Sequence, residues 1–378
     1  MKIVATLFGI VLVLLVLWEG FETIILPRRV TRRFRLTRFF FRGTWRPWVK
    51  MVKALASAKQ RESWLSYFGP LALPVLLGVW AGGLIIGFAL IHWSLGSAIL
   101  SMEGRTGFLT DLYFSGTTFF TLGLGDVLPR DSLARLLVVV ESGMGFAFLA
   151  MVIGYLPALN QSFARREVSI SLLDARAGSP PTASEMLRRH SHERGKEALQ
   201  LLLHEWERWS AELLEGHLSY PVLAYFRSQH ENQSWLSALT AILDTCALIM
   251  AGLEGACARQ AELTFAMTRH AVVDLTLIFR TSPHESRNDR LPPEKLMELR
   301  LLLTASGMMS REGDAVDQRL GDLRQMYEPY IHALGEYFQL GLPPWIAEEG
   351  WVDNWQGRYW EQPDKEGKSA GKGAGDHF

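Results

Sequence analysis

The feature that most constrains this chain is a long stretch without an acidic or basic residue. From Ser63 to Met102 there is no Asp, Glu, Lys or Arg. A helix that spans the hydrocarbon core of a membrane needs about 20 apolar residues, so this stretch predicts a transmembrane helix. Two further apolar runs, Ile3–Trp18 and Leu136–Ala164, predict two more spans. The sequence therefore predicts an all-α membrane protein with three spans.

Charge is distributed unevenly along the chain. There are 39 basic and 39 acidic residues in total, yet the segment from Pro27 to Arg61 holds twelve basic residues and no acid. Such a block stays on the cytoplasmic side of a membrane. We therefore expect the N-terminus outside, and the residues after about 165 in the cytoplasm of a prokaryote with the protein in its plasma membrane. A cleaved signal peptide is the alternative for the first run, but cleavage would leave the basic block outside.

The basic block is interleaved with aromatic residues, which is typical of a helix lying at the inner membrane interface. Anchoring by the positive-inside rule explains the block, and binding of signalling lipids is the alternative. A block tethered between two spans is not expected to bind nucleic acid. The residues predicted to contact anionic lipids of the inner leaflet are Arg28, Arg29, Arg32, Arg33, Arg35 and Arg38.

A shorter apolar segment lies between the second and third runs. From Gly107 to Phe120 its pattern is helical, but its length of about 21 Å is too small to cross a membrane. It predicts a half-helix that is buried in protein or lines a water-filled cavity. The sequence Thr-Leu-Gly-Leu-Gly-Asp follows at residues 121–126.

Backbone carbonyl groups facing one axis can replace the water around a cation. Successive carbonyls point the same way only when every second residue is left-handed, a conformation that glycine adopts without a Cβ penalty. Gly123 and Gly125 have the spacing that this geometry needs. An ordinary glycine-rich loop is the alternative, but such a loop would not need the apolar half-helix before it.

The motif Thr-x-Gly-x-Gly-Asp, behind a half-helix and between two spans, resembles the pore module of potassium channels over roughly residues 69–159. The resemblance implies a homotetramer with four filters around one pore, and a hinge in the inner helix at Gly145 or, second, Gly143. Close helix packing is the alternative role of these two glycines. The filter residues that the resemblance implies are Thr121, Leu122, Gly123, Leu124, Gly125 and, at the outer mouth, Asp126.

Two residues depart from the commonest filter of that family. Leu122 and Leu124 stand where Val and Tyr are usual, and Leu124 cannot donate the hydrogen bond that Tyr makes. Tyr113 and Phe114 are expected to pack around Leu124 instead. Potassium selectivity is expected, and a weakly selective sodium and potassium channel is the alternative. Glu141, an ionisable residue inside the third run, is predicted to brace the region behind the filter.

The C-terminal part is predicted to be helical, with a short extended piece at Val168–Leu173 and a capping box at Thr182–Glu185. A buried hairpin is predicted over Trp235–Phe279, with two further spans as the alternative. The predicted helices are Lys196–Leu214, Trp235–Met250, Ala258–Phe279 and Glu294–Ser306. The predicted domains are an N-terminal transmembrane helix (1–26), a basic linker (27–62), the pore module (63–164), a helical cytoplasmic domain (165–360) and a disordered tail (361–378).

Motifs of catalysis are not found in the sequence. There is no phosphate loop and no metal-ligand spacing, so we expect no enzyme activity, no cofactor and no metal beyond the transported potassium ion. The prediction is a passive channel whose cytoplasmic domain either assembles the tetramer or senses an unidentified regulatory ligand. Docking of this acidic domain on the basic block is a further hypothesis. The alternative from another class is a non-conducting membrane scaffold or receptor.

Overall fold

A computed structural model describes residues 2–26, 36–96, 99–101, 107–192, 195–230, 232–252, 256–286, 288–308, 313–348 and 353. The predicted tail at 361–378 lies outside the described residues. So do five of the six predicted lipid contacts, Arg28, Arg29, Arg32, Arg33 and Arg35.

Helices dominate the described residues, as predicted for an all-α membrane protein. The N-terminal helices are α1 (Lys2–Gly20), α2 (Leu36–Leu55), α3 (Ala58–Ser66), α4 (Phe68–Ser94), α5 (Phe108–Phe119) and α6 (Ser132–Ala177). The C-terminal bundle comprises α7 (Ala183–Arg189), α8 (Gly195–Ser219), α9 (Trp235–Gly252), α10 (Ala256–Phe279), α11 (Pro293–Ala305), α12 (Asp314–Gln325) and α13 (Glu328–Phe338). A π-helical turn (Phe21–Ile25), a 3-10 helix (Pro221–Tyr225) and two short strands, β1 (Ile99–Ser101) and β2 (Val127–Pro129), complete the described elements.

The extra N-terminal helix α1 packs along α4 through small residues. A methyl group on Gly9 would lie 2.6 Å from the carbonyl oxygen of Gly87, so glycine is required for the two backbones to come this close. Near one end of the pair, the Thr6 hydroxyl donates to the Ser94 hydroxyl at 2.7 Å. The predicted N-terminal span therefore has a specific packing site on the pore module.

Helix α2, from the basic block, contacts the C-terminal part of the chain through aromatic side chains. The ring of Phe41 stacks on Tyr225 with centroids 5.3 Å apart. The Trp45 indole donates to the carbonyl oxygen of Tyr337 at 2.8 Å. The basic block and the C-terminal part are therefore in contact, and electrostatic docking of the two stays a prediction.

Helix α6 is longer than the sequence predicted. The extended piece predicted at Val168–Leu173 is wrong, because one continuous helix runs from Ser132 to Ala177 and includes Pro157. Ile170, Leu173 and Ala177 are buried at the spacing of one helical face. Tertiary packing therefore extends the inner helix well past the apolar run.

The four predicted C-terminal helices are confirmed as α8, α9, α10 and α11, with ends shifted by a few residues. Thr182 caps α7, since its hydroxyl accepts from the backbone N–H of Glu185 at 3.3 Å. This is the first half of the predicted capping box, and the Glu185 carboxylate accepts from Arg188 and Arg189. Helix α9 lies at the centre of the bundle and is buried along almost its whole length. Its Asp244 forms an ion pair with Arg290 at 2.6 Å and accepts from the Tyr327 hydroxyl at 2.5 Å.

Four helical segments among the described residues are long and apolar enough to cross a membrane: Lys2–Ile24, Gln60–Ser94, Ser132–Ala177 and Trp235–Gly252. They differ in how much the protein itself covers them. The buried shares of their apolar windows are 28%, 39%, 11% and 94%, respectively. The first three correspond to the predicted spans, whereas the fourth, α9, is enclosed by the C-terminal bundle.

Candidate functional site

The half-helix predicted between the second and third spans is α5. Its 12 residues extend about 18 Å, which is well short of the hydrocarbon thickness of a bilayer. At its C-terminal end the backbone N–H of Leu122 donates to the carbonyl oxygen of Thr117 at 2.8 Å. Helix α5 therefore leads directly into the segment that was predicted to be the filter.

The backbone of the predicted filter alternates in handedness. Thr121, Gly123 and Gly125 have φ angles of 55°, 59° and 82°, while the described residues with positive φ do not include Leu122 or Leu124. Around Gly123 and Gly125 no atom lies within 4 Å of the position of a Cβ, so space does not explain these glycines. The left-handed φ does explain them, and it is the alternation that a file of carbonyl groups requires.

The outer end of this segment is held by a strand pair and a tyrosine. Strands β1 and β2 pair in antiparallel fashion directly after Asp126, with Leu100 opposite Leu128. The Tyr113 hydroxyl of α5 lies near the Asp126 carboxylate and interacts with it electrostatically. Tyr113 was expected to pack around Leu124, and its interaction with Asp126 was not predicted. A signal was present, since a tyrosine on the half-helix preceded a carboxylate at the mouth.

A buried polar cluster joins three helices of the pore module. Glu141 of α6 is fully buried, and one carboxyl oxygen, Oε2, lies 3.4 Å from Nε2 of His92 on α4. The other carboxyl oxygen forms a hydrogen bond with the hydroxyl of Ser115 on α5. Glu141 therefore contacts the half-helix that leads into the predicted filter. These partners were not predicted, and a bracing role behind the filter stays a prediction.

The two candidate hinge glycines have different surroundings. A methyl group at Gly145 would overlap the carbonyl oxygen of Phe119, the last residue of α5, whereas Gly143 has no neighbouring atom within 4 Å of a Cβ. The contact at Gly145 is the one that the close-packing alternative requires. Helix α6 is continuous through both positions, and a hinge there stays a prediction.

Much of the apolar surface around the filter has no partner within the single chain. Leu122 and Leu124 are 61% and 64% exposed, and α6 exposes further large apolar side chains. Those on α6 include Leu136, Val139, Phe146, Leu149 and Ile153. Such a surface needs lipid or further copies of the chain to cover it.

Other candidate sites in the described residues carry less chemical information. No group of three or more His, Cys, Asp or Glu side chains there is arranged to hold a metal ion. A polar cleft of 1270 Å³ lies between α3 and the C-terminal bundle, but two of its arginines are already paired within the protein. Arg189 pairs with Asp353 at 2.8 Å and Arg227 pairs with Glu62 at 3.3 Å.

Comparisons with known proteins agree with the pore geometry. Residues 77–161 match a family described as "Ion channel". The chain is also 27% identical over 190 residues to the "Uncharacterized membrane protein YdjJ" of Bacillus subtilis (strain 168). The aligned region covers 48% of this chain and 52% of the relative. The chain thus spans about half the length of that curated relative. No solved structure matches this chain. Residues 77–161 of this all-α membrane protein therefore match an ion-channel pore family, which is consistent with the predicted potassium-channel-like pore module.

Proposed function

We propose that this protein conducts potassium ions passively across the membrane through a carbonyl-lined filter at residues 121–125. The observation that carries the proposal is the alternation of left-handed φ at Thr121, Gly123 and Gly125. It stands at the C-terminal end of a short helix, within a segment that matches ion channels. A dehydrated cation in such a file exchanges water oxygens for peptide oxygens and passes from site to site.

The filter operates in a homotetramer. One chain supplies only one wall of an axial pathway, and the exposed apolar faces of α5 and α6 leave room for neighbouring copies. The C-terminal end of α5 carries the negative end of its helix dipole and favours a cation. The Thr121 hydroxyl and the Asp126 carboxylate add oxygen atoms at the two ends of the file.

Selectivity is the finer part of the proposal. Potassium selectivity follows if the four filters keep their spacing, and the electrostatic interaction between Tyr113 and Asp126 supports the outer end. A second candidate is a weakly selective sodium and potassium channel, which is favoured by the lack of a side-chain hydrogen-bond donor at Leu124. Reversal potentials of the reconstituted protein under mixed potassium and sodium gradients distinguish the two.

The experiment that tests conduction is an ion flux assay on the purified full chain in liposomes. We expect potassium flux from the wild type and none from Gly123→Asp, because a side chain and a charge then enter a left-handed position of the file. The matched control is Gly321→Asp on α12, where an added Cβ also has open space. Absence of flux from the intact wild-type oligomer would favour a non-conducting scaffold.

The position of the protein in the membrane belongs to the same proposal. The N-terminus lies outside, the C-terminal bundle lies in the cytoplasm, and α2 lies near anionic headgroups of the inner leaflet. Arg46, Lys50 and Lys53 are exposed on α2, and Arg38 is half-buried there. Protease accessibility of tags at the two termini, in intact cells and in inverted vesicles, tests the orientation.

A further inference from the structure

Behind the predicted filter, three helices of the pore module each bury an ionisable residue. His92 on α4 is 2% exposed, and Asp111 on α5 and Glu141 on α6 are fully buried. Ionisable groups inside membrane segments are costly and usually have a functional partner. The hydrogen bonds around Glu141 define its protonation state.

The Ser115 hydroxyl has two oxygen neighbours that normally accept hydrogen bonds. Its Oγ lies 2.8 Å from the carbonyl oxygen of Ile85 on α4 and is also hydrogen-bonded to Oε1 of Glu141. A hydroxyl has one hydrogen to donate, and a backbone carbonyl can only accept. If Ser115 donates to Ile85, then the hydrogen of the second bond comes from Glu141. An ionised Glu141 would leave the hydroxyl with two acceptors and one hydrogen.

The contact of the second carboxyl oxygen of Glu141 is compatible with a protonated Glu141 that donates to Ser115. Oε2 of Glu141 lies 3.4 Å from Nε2 of His92, within hydrogen-bond distance, so this oxygen has its own partner on α4. Asp111, one helical turn before Ser115 on the same face of α5, is a second buried carboxyl group near this cluster. A neutral Glu141 avoids the cost of burying a charge between three helices.

We infer that Glu141 is a protonated carboxylic acid that donates a hydrogen bond to Ser115 and thereby positions the half-helix α5 behind the filter. Ser115 in turn donates to the carbonyl oxygen of Ile85, so two successive hydrogen bonds link the inner helix α6, the half-helix α5 and the outer helix α4. Glu141 is a positioning residue, since it acts on the filter through α5. Its effect on conduction rests on the proposed function, whereas its protonation state does not.

Infrared spectroscopy of the full chain in an ester-free detergent at neutral pH tests the protonation state. A protonated carboxyl group has its own C=O stretching band, and we expect this band in the wild type and its loss in Glu141→Gln. Asp111→Asn is the matched control, because it replaces the other buried carboxyl group on this face, and the Glu141 band is expected to stay. A wild-type spectrum without the band, or a band unchanged in Glu141→Gln, overturns the inference.

Ion flux tests the positioning role. The amide of Glu141→Gln still donates to Ser115, so we expect flux close to that of the wild type, whereas Glu141→Ala loses about tenfold through the missing buried hydrogen bond. Ser115→Ala combined with Glu141→Ala is expected to lose no more than Glu141→Ala alone, because both changes remove one interaction. Elution of each variant as the wild-type oligomer excludes misfolding.

Two flux results contradict the inference. Loss of flux in Glu141→Gln equal to that in Glu141→Ala means that an ionised carboxylate is required. Additive losses in the double variant mean that Glu141 does not act through Ser115. A wild type without flux contradicts the proposed function instead, and the infrared measurement then decides the protonation state alone.

Discussion

Helices α6 and α9 are both apolar enough to cross a membrane, but they lie in opposite surroundings. The chain covers only 11% of the apolar window of α6 and 94% of that of α9. Helix α9 also carries Asp244, whose charge is paired with Arg290 inside the bundle. Hydropathy therefore identifies helices whose side chains are buried away from water. The surrounding helices determine whether such a helix is covered by protein or by lipid.

The largest expected effect comes from breaking the buried ion pair between Asp244 of α9 and Arg290. Arg290→Met leaves Asp244 buried without its cation and is expected to reduce the free energy of unfolding by about 3–5 kcal/mol. The control is Arg208→Met, which breaks an exposed pair with Glu212 on α8 and costs about 1 kcal/mol or less. Thermal unfolding in detergent measures both, and equal losses would contradict the enclosed position of α9.

The same substitution in each helix tests the comparison directly. Ile242→Ala on α9 removes a fully buried side chain and is expected to cost about 2–5 kcal/mol in the free energy of unfolding. Ile153→Ala on α6 removes a side chain that is 62% exposed in the single chain, and is expected to change stability by about 0.5 kcal/mol or less. Unfolding curves of the two variants measure the difference, and size-exclusion chromatography monitors the oligomer. A loss of stability in Ile153→Ala comparable to that in Ile242→Ala would mean that a neighbouring chain covers the Ile153 side chain.

The C-terminal bundle is expected to lose stability in acid. Burial, with a smaller effect of Arg166, lowers the pKa of His217 to about 3 from its ordinary 6.5. The unfolded chain binds this proton more readily, so the free energy of unfolding falls as the pH decreases from 6.5 towards 3, by about 1.4 kcal/mol per pH unit. Unfolding followed by fluorescence across this range measures the slope. His217→Gln removes this contribution, and an unchanged slope would assign the acid sensitivity to other groups.

The smallest expected effect concerns the outer end of the proposed filter. Tyr113→Phe removes the hydroxyl that interacts with Asp126 and keeps the ring. We expect the ratio of potassium to sodium permeability to decrease by about twofold, with unchanged assembly. Reversal potentials measure the ratio, and Tyr330→Phe on α13 is the control for loss of a tyrosine hydroxyl elsewhere. An identical ratio in the wild type and Tyr113→Phe would show that the interaction does not affect selectivity.

Local features of the pore module were predictable because each depends on a few neighbouring residues. The length of the half-helix follows from a short apolar run, and the left-handed positions at Gly123 and Gly125 follow from the residue type. The left-handed φ of Thr121 has no such local sign. The interaction of the Tyr113 hydroxyl with Asp126 also depends on tertiary structure, because these two residues are 13 positions apart in the chain.

The membrane class, the half-helix and the glycines of the predicted filter can be inferred from the residues alone, because uncharged length and backbone preference are local properties. The packing of the helices is needed to know which apolar helix is enclosed, how far α6 continues and which groups Glu141 contacts. His92, Ser115 and Glu141 are far apart in the chain, and only the packing of three helices brings them together. Burial and hydrogen bonding are properties of neighbours in space, and these neighbours are set by the fold.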